Sequence, residues 1–124
     1  MSVALPEGCA LVALAQTGST NDVAKDLAAA GAADGTVVWA REQTAGRGRR
    51  GREWVSPVGN LYLSVLLRPG RPPVEAAQLS LVAAVALGDA IAGFLPEHAE
   101  LHCKWPNDIL VNGRKVAGIL LESA

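Results

Sequence analysis

The chain has 124 residues, half of them hydrophobic and 19% charged, with a formal net charge of −1. That length suits one domain with a real core, and the composition is globular, not disordered. Near-neutrality excludes a global field for nucleic acid or anionic membrane, and two cysteines, Cys9 and Cys103, exclude a disulfide framework and match no metal motif.

The two thiols read as reduced, which places the chain in the cytoplasm. Met1 to Glu7 lacks the basic segment and apolar run of a secretory leader. Ala10 to Ala15 (ALVALA) is a short apolar run and predicts a buried strand. Thr17 to Asp22 is a cluster of turn and cap residues. Ser19 or Thr20 can cap a helix over Asp22–Ala30, and Gly31 can stop it. Thr36 to Arg41 is β-branched and aromatic, so a strand is expected. Glu42 to Gly59 carries Gly46, Gly48, Gly51 and Gly59 and predicts a long mobile loop of functional use.

Leu61 to Leu67 predicts the next strand, and Pro69 to Pro73 a connector outside any helix or strand. Glu75 to Leu95 reads as one long helix, apolar on nearly every face and so buried mid-domain. A membrane span needs roughly 20 uninterrupted apolar residues. The run Leu79 to Leu95 is shorter and is interrupted by Gly88 and Asp89. Leu101 to Trp105 starts a strand that Pro106 breaks. Asp108–Val111 and Val116–Leu121 then flank Asn112-Gly113, the strongest short hairpin signal. The order β-α-β-loop-β-α-β-β-β predicts an α+β fold of mixed α/β layers. The sequence stops at Ala124 directly after the last apolar run, which suggests an incomplete domain.

Four of the eleven cations, Arg47, Arg49, Arg50 and Arg52, crowd into six residues with glycines between them. Such a segment can clamp phosphate through backbone N–H groups and guanidinium forks, bind RNA, or simply be a solvated basic loop. Lys104-Trp105-Pro106-Asn107-Asp108 puts a lysine, an amide and a carboxylate around a proline break, with Lys115 on the facing hairpin arm. This is either one wall of a cleft or a polar hairpin rim. Ser19-Thr20-Asn21 serves equally as a helix cap or as a reader of a polar ligand. His98 and His102 are too isolated to suggest a metal.

Five segments in order resemble biotin–protein ligases: Ser19 to Asp22, Gln43 to Arg52, Asn60 to Ser64, Lys104 to Asp108, and Gly113 to Leu120. The resemblance covers about Leu14 to Glu122. It implies the N-terminal portion of a catalytic domain built on a mixed sheet with helices, akin to class II aminoacyl-tRNA synthetases and lipoate ligases. It further implies that biotin is adenylated with ATP and Mg2+ and passed, via biotinyl-5′-AMP, to a lysine of a biotin carboxyl carrier protein.

By the same resemblance, biotin is held by Ser19, Thr20, Asn21 and Gln43, with Gly46, Arg47, Gly48, Arg49, Lys115 and Gly118. Arg47, Arg49 and Lys115 act on the reacting centre. Arg50, Arg52, Trp54, Asn107 and Asp108 face the nucleotide, and Asp108 faces the metal. The family's later strands, its SH3-like barrel and the DNA-binding domain of some members have no counterpart here, so no repressor role is expected; the net charge of −1 and the interrupted apolar run argue against a nucleic-acid or membrane partner. Lipoate ligation, a non-catalytic biotin- or adenylate-binding fragment, and a nucleic-acid-binding module are the competing readings.

Overall fold

The computed structural model describes residues 4–123. The leader reading of Met1 to Glu7 lies partly outside them, and Ala124 lies wholly outside. The described residues form two compact units, one ending at Pro69 and one running from Gly70 to Ser123.

In the first unit, β1 (Ala10–Leu14) pairs parallel with β2 (Thr36–Ala40), and β2 pairs antiparallel with β3 (Tyr62–Leu66). The parallel pair needs a crossover, which α1 (Thr20–Ala29) supplies. This helix packs on β2 and β3. The core lies between them, around Ala24, Val37, Val38, Ala40 and Tyr62. Gly31 follows α1 at φ 89°, the left-handed turn that glycine accepts without penalty. Beyond it, Arg68 donates to Ala28 O at 2.9 Å and to Ala32 O at 2.7 Å. A guanidinium therefore sits on the negative end of the helix.

The segment 42–59 is not the structureless loop expected. Its backbone continues the sheet: Thr17 bridges Gln43, Gln43 bridges Ser56, and Arg47 bridges Glu53. The Trp54 N–H donates to Gly46 O at 2.8 Å, and the Gly48 N–H to Arg52 O at 2.6 Å. A turn of 3-10 helix, Arg49–Gly51, forms the tip, with Arg50 in the left-handed region at φ 60°. The segment lacks apolar alternation, so its sequence hides pairing that runs through backbone atoms.

In the second unit, β4 (Leu101–Lys104), β5 (Asp108–Val111) and β6 (Arg114–Gly118) form an antiparallel sheet. The expected strands are thus present, but in two three-stranded sheets. Asn112 and Gly113 take φ 50° and 79°, as the two-residue hairpin requires. The last strand is Arg114–Gly118, earlier than the expected Val116–Leu121, because so short a turn starts pairing at once.

The single long helix is corrected to two: α2 (Pro73–Ala76) and α3 (Leu79–Ala92). Pro73 opens α2, where its missing N–H costs nothing, so the connector ends sooner than expected. Nor is α3 buried. Only Ala84 and Gly88 are, and they face β4, where a Cβ on Gly88 would meet Cys103 Sγ and Leu101 Cδ2 at 3.5 Å. Val82 and Val85 are exposed. The stretch Pro73–Ala92 is, by length and composition alone, apolar enough to cross a membrane, a test that core helices also pass.

Candidate functional site

The turn from β1 into α1 and the β2 extension meet at Gln43. The Thr20 N–H donates to Gln43 Oε1 at 2.8 Å, and Gln43 Nε2 donates to Ser56 Oγ at 3.1 Å. Ser56 Oγ in turn donates to Trp54 O at 2.7 Å. Beside this chain, Thr20 Oγ1 lies 2.7 Å from Ser64 Oγ, which donates to Asn21 Oδ1. Ser19 occupies the N-cap position but makes no side-chain capping bond. Thr20 spends its hydroxyl on β3. Side-chain capping is therefore not what this turn does: the Thr20 hydroxyl and the Asn21 amide join a polar cluster with Ser64. Ser19, Thr20, Ser56 and Ser64 are all buried.

Gly46 closes one side of the cluster. A Cβ there would lie 2.5 Å from Trp54 O, 2.6 Å from Ser56 Oγ and 2.8 Å from Gln43 Nε2. No residue but glycine fits without displacing backbone. Next along the loop, Arg47 Nη1 sits 2.9 Å from Asp22 Oδ1 and 3.0 Å from Asp22 Oδ2, in the first turn of α1. Arg49, Arg50 and Arg52 are exposed at the tip, and Trp54 is half-buried. The structure thus brings Ser19, Thr20, Asn21, Gln43, Gly46 and Arg47 together on one side of the first sheet.

The second unit carries the other candidates. Lys115 Nζ lies 3.0 Å from Asp108 Oδ1 across the β5–β6 ladder. Asn107 is buried. Its Nδ2 donates to Ile119 O, while its backbone carbonyl accepts from the Ile119 N–H at 3.1 Å. Those two bonds close the ladder beside Gly118. Asn107 Oδ1 is a buried acceptor without a partner, an unpaid desolvation that a donor could relieve. Among the described residues no group of three or more His, Cys, Asp or Glu could hold a metal. Mg2+ needs only one or two carboxylates when substrate phosphates and waters complete its shell. Asp108 fits it in that shared mode alone.

Ser56 was not singled out in the sequence, and Asp22 and Ser64 entered only as members of the Ser19–Asp22 and Asn60–Ser64 segments. Ser64 left a trace, as the polar residue on the inward row Tyr62, Ser64, Leu66 of an otherwise apolar strand. The others reveal themselves only through partners distant in sequence.

The biotin/lipoate A/B protein ligase family matches residues 13–124. A biotin–[acetyl-CoA-carboxylase] ligase from Paracoccus denitrificans is 57% identical over 111 residues, covering 90% of this chain and 46% of the relative. A solved biotin protein ligase from Leishmania major, in complex with biotinyl-5-AMP, matches with a TM-score of 0.79 at 34% identity, covering 92% of this chain and 52% of that one. One from Aquifex aeolicus, in complex with biotin and ATP, gives 0.76 at 35% identity, covering 92% and 47%. The chain spans about half the length of each of these three proteins.

Proposed function

The chain belongs to the biotin/lipoate A/B protein ligase family, and on that premise we propose that it carries the biotin-adenylating part of a biotin–protein ligase. The reaction has two steps. A biotin carboxylate oxygen attacks the α-phosphorus of ATP and expels pyrophosphate, leaving biotinyl-5′-AMP. The ε-amine of a carrier-protein lysine then attacks the acyl carbon, loses a proton and expels AMP. The acceptor is a biotin carboxyl carrier protein and the compartment the cytoplasm.

The observation that carries this reading is the Gln43 cluster. Gln43 has two acceptor and two donor positions, and one of each is taken by Thr20 and Ser56. One acceptor and one donor remain, which suits a ureido ring presenting N–H and C=O side by side. With Ser19, Thr20 and Asn21 this makes a neutral polar floor for the ring. The first step brings two anions together, so fixed cations stabilise its transition state, each well-placed donor by about 3–4 kcal/mol. Arg47, Arg49 and Lys115 take that part. Arg50, Arg52, Trp54, Asn107 and Asp108 face the nucleotide, and Asp108 would share Mg2+ with the phosphates; bound there, the metal would offset phosphate charge. Gly46, Gly48 and Gly118 let backbone approach the ligand.

Isothermal titration with biotin, with and without ATP, tests the proposal. Biotin is expected to bind and lipoate, whose dithiolane offers neither N–H nor C=O, is not. Equal heats for the two acids would refute the assignment of the ring site.

A further inference from the structure

We infer that Ser56 is a positioning residue: it fixes the orientation of the Gln43 amide and ties that amide to the base of the arginine loop. Donors and acceptors fix that orientation. A backbone N–H can only donate, so the Thr20 N–H at 2.8 Å requires the oxygen of Gln43 on its side. The amide nitrogen is thereby turned toward Ser56. The single hydroxyl proton of Ser56 is committed to Trp54 O at 2.7 Å, so toward Gln43 its oxygen can only accept. Donor meets acceptor at 3.1 Å. A flipped amide would set nitrogen against the Thr20 N–H and turn an oxygen toward Ser56, whose proton is already committed. Two bonds would be lost inside a buried cluster.

Ser56 is buried and its hydroxyl is engaged on both sides, its proton by Trp54 O and its oxygen by Gln43 Nε2. Its backbone also accepts from the Gln43 N–H at 3.0 Å, so the two residues are joined through both main chain and side chain. Trp54, whose carbonyl takes the Ser56 proton, donates its own N–H to Gly46. One hydroxyl therefore links the polar floor, the tight approach at Gly46 and the far arm of the loop.

The ligand role rests on the biotin reading above; the latch itself does not. Its test uses the whole chain. In the free protein, the Gln43 side-chain NH2 resonances are expected to be resolved and slow to exchange. Ser56→Ala should merge or accelerate them, and Ser56→Thr, which keeps the oxygen, should restore them. Biotin titrations then form a cycle. Ser56→Ala is expected to weaken binding roughly tenfold, the worth of about one hydrogen bond. In a Gln43→Ala background the same change should add less than about twofold, because Ser56 acts through Gln43. A merely structural serine would give equal losses in both backgrounds, and that outcome overturns the inference, as would Gln43 signals unchanged by Ser56→Ala. Failure of the unsubstituted chain to bind biotin, with the amide signals behaving as expected, would remove the ligand and leave the latch standing.

Discussion

Gly46 and Gly48 stand two residues apart in the same loop and carry different burdens. At Gly46 a methyl group would press into Trp54 O, Ser56 Oγ and Gln43 Nε2, all within 2.8 Å. At Gly48 the nearest atoms lie at 3.7 Å, and its φ of −100° suits any residue. Gly46→Ala should cost about 1–3 kcal/mol by overpacking and lower biotin affinity at least roughly tenfold. Gly48→Ala should leave folding stability within about 0.5 kcal/mol of the parent, any effect being confined to ligand binding. Thermal melts and titrations of the pair decide the matter, and equal behaviour would show that the Gly46 contact is not limiting. Arg50 poses the opposite case, a bulky side chain held at φ 60° where glycine would rest more easily by about 1 kcal/mol. Arg50→Gly should therefore raise the melting temperature slightly while weakening ATP binding.

The loop, α1 and the β5–β6 hairpin define how the cations are held. Arg47 is moored to Asp22 in the first turn of α1, with the two side chains 29% and 55% exposed. At such exposure the pair contributes only about 0.2–1 kcal/mol, so its effect is on loop motion more than on folding. Asp22→Asn should speed amide exchange across Gly46 to Trp54 and barely move the melting temperature. Biotinyl-5′-AMP should slow exchange there in both proteins; protection unchanged by the substitution would discard the mooring. Lys115, by contrast, stands on a strand and is paired with Asp108 before any ligand arrives. Lys115→Ala should slow pyrophosphate release. Arg49→Gly, at an exposed loop tip, should slow adenylation less than Lys115→Ala does, and should let the adenylate escape and label unrelated lysines. Measuring both quantities for both variants separates the roles, and the reverse pattern would exchange them. The strands and the Asn112-Gly113 turn were legible because local chemistry specifies them: apolar runs, β-branching and two residues that accept positive φ. Ser56, Asp22 and Arg68 were not, because their partners lie 13, 25 and up to 40 residues away. The division of α2 from α3 was hidden as well, since the run from Val74 to Ala92 is apolar on either side of the turn at Ala77 and Gln78.

At the scale of the whole molecule, charge and surface disagree. The net charge is −1 and the isoelectric point about 6.1, while large apolar side chains face solvent in both units. Leu63 and Val65 on β3 and the flanking Leu61 and Leu67 are exposed, and in the second unit Val74, Val82, Val85 and Phe94 are exposed. Contiguous exposed apolar surface is uncommon on soluble monomers, and weak net charge does little to keep molecules apart. The exposure of α3 thus has a colloidal consequence. In solution, the osmotic second virial coefficient of this chain should be negative near pH 6 and climb as pH rises and the net charge grows more negative. Val82→Lys with Phe94→Lys should make it more positive at pH 5, where the added charge has the sign of the protein's own. Static light scattering across pH and salt would read this directly. A positive coefficient at the isoelectric point would mean that these side chains do not attract one another across the solvent.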